Sequence, residues 1–322
     1  MQRSLLLATA LTALAASHAD ARTIFVSNEK GNSISIVDGD TLELLKEVPV
    51  GQRPRGIVLG KDGKHLYICA SDDDTIEIMD TSSFEIVGTM PSGPDPELMV
   101  ISPDGSTIYV ANEDDNLVTV VDVASASIKS EIPVGVEPEG MAVSPDGKTV
   151  VNTSETTNMA HFIDAESHEI TGNVLVDQRP RFASFSADGG EVWVSSEIGG
   201  TVSVIDSEKR EVTHRITFAI PGVPDEAIQP VGISILDDHS KAYVALGPSN
   251  RIAVIDAQTY DVIDYLLVGQ RVWQLAFSPD QKTLYSTNGV SNDISVIDVD
   301  ADKVLKSVAV GRFPWGVVVL DP

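Results

Sequence analysis

Short apolar runs alternate with polar turns along nearly the whole chain, and the runs recur in a fixed order. One series reads IFVSN at 24–28, LYICA at 66–70, IYVAN at 108–112, VVNTS at 150–154, VWVSS at 192–196, AYVAL at 242–246 and LYSTN at 284–288. A second series ends on Asp38, Asp80, Asp122, Asp164, Asp206, Asp256 and Asp298, with successive gaps of 42, 42, 42, 42, 50 and 42 residues. Both series keep the same phase and share the single long gap. A period in the forties that carries several short strands is the pattern of a β-propeller. No stretch repeats apolar residues at three- and four-residue steps long enough for a helix of any size.

Each unit reads as four strands. In the third, TIYVAN and NLVTVVD flank the polar EDD and form a hairpin, SIKSEIPV alternates as a further strand, and GMAVS runs into Pro145-Asp146-Gly147. There Pro presets φ, Asp bonds locally and Gly takes positive φ. The chain opens on the second strand of a unit, TIFVSN, and stops after WGVVVL. Trp315–Leu320 is therefore expected to become the innermost strand of the blade built from residues 23–50, closing the ring and removing two open edges. The fold expected is all-β: a seven-bladed propeller of four-stranded blades. An Asp present in every unit does the same structural job in each, accepting hydrogen bonds from the turn that follows.

Composition adds an address. Arg3, the apolar stretch Leu5–Ala16 and Ala19-Asp20-Ala21 read as a signal peptide over residues 1–21, with one propeller domain over 22–322. The mature protein is expected in the periplasm. The single cysteine, Cys69, falls within a strand and reads as a buried thiol. Net charge is −26, from 48 acidic and 22 basic residues, which disfavours nucleic acid and anionic membranes and suits a cationic partner. The histidines lack metal-ligand spacing. There is no G-x-S-x-G elbow, H-E-x-x-H or phosphate loop.

IYVAN, VWVSS and AYVAL, each followed by a VID-like run, then VPVG or IPVG, P-x-G and SPDG, resemble the YVTN family of seven-bladed propellers from Thr23 to Pro322. FAIPGVPDEAIQPVG at 218–232 is similar to a segment of the propellers associated with catabolism that depends on pyrroloquinoline quinone (PQQ). That resemblance implies a periplasmic setting beside quinoprotein alcohol oxidation. It also implies PQQ as a possible ligand, and a quinoprotein dehydrogenase or its cytochrome as partner.

A ring with one ligand site must break its own symmetry, so function is sought where the units differ. The residues flanking the Pro position of each inner strand should line the channel mouth: Arg53/Arg55, Asp95/Glu97, Glu137/Glu139, Arg179/Arg181, Gln229/Val231, Arg271/Trp273 and Phe313/Trp315. One reading is a set of salt bridges worth little if exposed. The other is a polarised pocket, with Arg forks for carboxylates and Trp faces for a planar or cationic group. The ligand-binding candidates are Arg53, Arg55, Glu97, Glu139, Arg179, Arg181, Arg271, Trp273 and Trp315.

The second departure is the eight-residue expansion in 218–229, where Ile220, Pro221, Val223, Pro224, Asp225 and Glu226 form a candidate partner-docking loop on the mouth face. The loop acids Glu29, Asp72, Glu113, Glu155 and Glu197 read as solvated, and no metal site is expected from them because they sit on separate blades. The sum is a non-enzymatic binding or scaffold propeller with no catalytic residue assigned. The alternative is a hydrolase of lactonase type using mouth carboxylates and arginines, which would need paired acids with proton affinities pushed apart.

Overall fold

The computed structural model describes residues 22–321; the expected signal peptide, residues 1–21, lies outside the described residues. The described residues form seven antiparallel sheets of four strands each. Blade two shows the plan, with Pro54–Leu59 innermost, then His65–Ala70, Thr75–Asp80 and Ile86–Pro91. The innermost strands of successive blades meet around the axis, and the last meets the first. This is the seven-bladed propeller the repeats predict.

Burial explains the sequence pattern across a blade. The second strand is interior to its sheet and covered on both faces, so Thr107–Asn112 is buried along its whole length and its centre, Ile108–Ala111, reads as an unbroken apolar run. The outermost strand has water on one side, and Ser127–Pro133 is mostly exposed apart from Ile132. Cys69 is fully buried within its strand, as expected.

The recurring Asp serves its turn. Asp38 Oδ1 accepts the amides of Asp40 at 2.9 Å and Thr41 at 2.7 Å. Asp80, Asp122, Asp164, Asp206, Asp256 and Asp298 each accept the amide three residues on in the same way.

Closure follows the expected course. Pro314–Leu320 pairs antiparallel with Thr23–Asn28, in the register Thr23↔Leu320 to Val26↔Val317, inside the sheet that also holds Ser33–Asp38 and Leu44–Pro49. Arg22 and Asp321 add an ion pair at 2.8 Å beside this junction.

The innermost strands come together almost backbone to backbone. A Cβ on Gly56 would stand 2.4 Å from the Glu97 carbonyl oxygen, and one on Gly316 would stand 2.8 Å from that of Arg55. Gly56, Gly140, Gly232 and Gly316 alternate around the ring with Leu98, Phe182 and Gln274, and these three larger residues line the axial cavity.

Candidate functional site at the channel mouth

The mouth is built on strained backbone that a second repeat holds in place. Arg53, Asp95, Glu137, Arg179, Arg271 and Phe313 all take φ between 51° and 58°. For residues with a side chain, that conformation costs about 1–2 kcal/mol each. Each one donates its amide to a side-chain oxygen 21 residues earlier, on Asn32, Asp74, Asn116, Asn158, Asn250 and Asn292 respectively, at 2.8–3.1 Å. The acceptors are themselves left-handed, at φ 50–58°, a conformation that Asn and Asp tolerate best after Gly.

The seventh member of this acceptor series is Gly200, which offers no side chain, and its turn faces the long loop that leads to Gln229. The expansion thus stands where the clamp is missing. This Asn/Asp series keeps the period of the other two and was legible in the sequence, but only once paired with the mouth positions it holds.

The arginines are already engaged. Arg53 pairs with Asp72 at 2.6 Å and Glu97 at 3.2 Å, and also with Asp95; Arg55 pairs with Glu29 at 3.2 Å and with Glu97. Across the mouth, Arg181 meets Glu139 at 3.1 Å, Glu197 at 3.6 Å and Glu155, while Arg179 meets Glu155 at 2.6 Å and Glu197 at 3.4 Å. Arg271 holds Glu197 at 2.7 Å and Gln229 at 2.8 Å, and lies 4.0 Å over the Trp273 ring. Arg55 sits 5.6 Å from the Trp315 ring.

One expectation is corrected here. The mouth is layered: Arg179, before the Pro position, is exposed, whereas after it Glu97 is 0%, Glu139 1%, Arg181 6% and Trp315 1% exposed. The loop acids Glu155 and Glu197 are buried ion-pair partners, each 4% exposed, and not solvated. Side chains one step after the Pro position point to the axis, where neighbouring blades cover them.

Charge is not balanced. Glu97 stays ionised: burial opposes this, but Arg55 and Arg53 outweigh it and hold its proton affinity below the usual range. Asp95 is pushed up to about 6 by burial and by Glu97. Glu113 has no cationic partner within ion-pair distance among the described residues and is pushed up to about 8 by burial, Glu97, Asp95 and Glu155. Burial also raises Glu139 well above the carboxylate range, against the pull of Arg181.

Surplus carboxylate therefore collects in blades three and four, between the two groups of arginines. Asp95, Glu97 and Glu113 each bring an oxygen within 4.8 Å of the other two. That is three of the six to eight oxygens calcium takes, but Arg53 and Arg55 already bind Asp95 and Glu97. Reading the acids as separate missed this meeting, because Glu113 shares its blade with Asp95 and Glu97.

The long loop runs from the outer strand Glu211–Thr217 to the inner strand Ile233–Ile235, beside the mouth as expected. It is not free-standing. Phe218, Ile220 and Ile228 are 9%, 9% and 3% exposed, and with Val223 they pack on Trp193, Val202 and Val204. Pro221, Pro224, Asp225 and Glu226 face solvent.

Residues 116–284, more than half of the chain, match the profile of the Choice-of-anchor I domain. The chain belongs to that family. Residues 1–100 match the YNCE-like beta-propeller, which together with the seven blades makes this a propeller of YVTN type. A search of curated proteins finds no match.

Among solved structures, the chain is similar to the Kuenenia stuttgartiensis hydrazine synthase, with TM-score 0.79 and 23% identity over 87% of this chain and 93% of that one. It is also similar to a functionally unknown protein from Desulfotomaculum acetoxidans, with TM-score 0.80 and 17% identity over 93% and 99%. A 6-phosphogluconolactonase candidate from Bacteroides fragilis gives TM-score 0.78 and 18% identity over 95% and 99%. At such identities these likenesses speak for the fold alone.

Proposed function

We propose that this Choice-of-anchor I propeller is an exported, periplasmic binding protein that acts without turnover, docking a positively charged partner surface at its channel mouth. The observation that carries the reading is the carboxylate surplus: every mouth arginine is spent on an internal acid, while Glu113 and Glu137 have no arginine of their own. A cation arriving there meets two carboxyl groups that no arginine holds: Glu137, and Glu113, which keeps its proton in the free protein and gives it up when a positive charge docks beside it. A free anion such as PQQ would have to displace a buried carboxylate from its guanidinium, which leaves a buried charge uncompensated. The likeness of 218–232 to PQQ-associated propellers supports a setting beside quinoprotein alcohol oxidation, with the dehydrogenase or its cytochrome presenting the basic surface.

The test is a binding titration of the mature protein against a purified periplasmic quinoprotein dehydrogenase and against its c-type cytochrome, at low and high salt. Binding that weakens with salt and is lost in Glu113→Lys/Glu137→Lys supports the reading. Binding indifferent to both, or none to either protein, removes it.

One observation favours a second reading, the hydrolase of lactonase type. Glu97 is held ionised while Glu113, beside it, holds its proton to about pH 8, which is the separation acid–base work requires. Acid release from a lactone panel, lost in Glu97→Gln and in Glu113→Gln, would decide for it.

A further inference from the structure

Beneath the charged mouth, the axial channel opens into a cavity of about 130 Å³. Its side-chain walls are formed by Ile57, Met99, Met141, Phe182, Leu275 and Trp315, with one side-chain amide, that of Gln274, among them, and the buried indole N–H of Trp315 has no hydrogen-bond partner among the described residues. Gln274 is 7% exposed, and its hydrogen bonds among the described residues are all made by its backbone, through the amide to Thr287 and the carbonyl from Thr287. Its side-chain amide has no partner among the described residues. The Oε1 end lies over Gly232, where a Cβ would approach it to 2.8 Å, so the alternation of glycine with larger residues makes the space the amide occupies. On the side away from the mouth, Met141 and Phe182 also line a wider, open funnel of about 400 Å³ that carries Lys61 and Asp237 beside its apolar residues.

We propose that this cavity is a binding site for a small neutral hydroxyl compound, with its apolar body against Met99, Met141 and Phe182 and its hydroxyl on the Gln274 amide. Size fits: an apolar cavity of about 150 Å³ accepts benzene. Chemistry narrows the head group. A carboxamide offers one acceptor and two donors, and a hydroxyl uses one of each with a single oxygen. A second carboxamide would bring more polar atoms than Gln274 can satisfy, and each buried orphan costs about 1–3 kcal/mol. A carboxylate would enter an apolar channel under Glu97 and Glu139 without a counter-ion.

The experiment uses phenol, benzene and benzoate as probes on the mature protein carrying ¹³C-methyl methionine. Phenol should move the Met99 and Met141 methyl resonances saturably and bind roughly tenfold more tightly than benzene, with benzoate inert. In Gln274→Leu, which keeps shape and removes the amide, the preference for phenol should fall to about unity. Three results overturn the proposal: no saturable shift at either methionine, equal affinity for phenol and benzene in the unaltered protein, or an unchanged preference in Gln274→Leu. If the variant does not fold, the phenol-to-benzene ratio of the unaltered protein decides alone.

Discussion

Glu113 shows how a single side chain takes its character from the ring around it. Its carboxyl group faces Glu97, Asp95 and Glu155, while the nearby Arg53 and Arg55 are bound to Asp95 and Glu97. A carboxyl group whose folded proton affinity is raised binds more protons folded than unfolded, so its contribution to stability falls as pH rises. For Glu113 the fall runs from the ordinary carboxylate range, about pH 4.3, up to about 8. Glu113→Gln should therefore stabilise the protein by about 1–2 kcal/mol at pH 8.5, discounted for partial exposure, and change little at pH 4. Denaturant melts at the two pH values check this, and an equal effect at both would contradict it.

Asn158 makes a second case at this scale. It holds Arg179 in a left-handed conformation through a 3.1 Å bond while sitting at φ 56° itself. Asn158→Ala should cost about 1–3 kcal/mol in chemical denaturation, whereas Asn158→Gly should recover the backbone part of that loss.

Elements repeat the same lesson in both directions. Strand order, the Asp turns and the closing strand could be read from the sequence, because a structural task performed seven times leaves seven copies. The mouth was legible as a set of positions, since P-x-G fixes which residues face the axis. Its burial was not, because exposure at an axial position depends on six other blades that no local pattern describes. The 218–232 loop failed for the same reason. Its prolines marked it as irregular, but only the fold shows that Ile220 and Val223 reach the core under Trp193.

Removing residues 219–226 should consequently destabilise the protein, and Ile220→Ala alone should cost about 2–3 kcal/mol. Asp225→Lys/Glu226→Lys, on the exposed side, should leave the melting temperature within a few degrees while testing the loop for docking. A deletion that melts with the full chain would show that the apolar side of the loop contributes little.

At the scale of the whole molecule, closure and charge are joined. The strand that closes the ring also carries Trp315, which is almost wholly buried beside Arg55. Deleting residues 313–322 should abolish cooperative unfolding, because it opens two sheet edges and uncovers the Arg55–Glu97 pair together. A truncated protein that still melts cooperatively near the full-length temperature would rule out this clasp.

The ring so closed presents a mouth whose arginines are all committed and whose remaining carboxyl groups are short of positive charge. The measurement that bears on this most directly is calorimetric titration of residues 22–322 with a purified c-type cytochrome and with a quinoprotein dehydrogenase, at two salt concentrations, for the unaltered chain and for Glu113→Lys/Glu137→Lys. The account predicts saturable binding to one of the two proteins, weakened by salt and lost in the charge-reversed mouth. Binding of undiminished strength in the variant, or binding that salt does not affect, would contradict it.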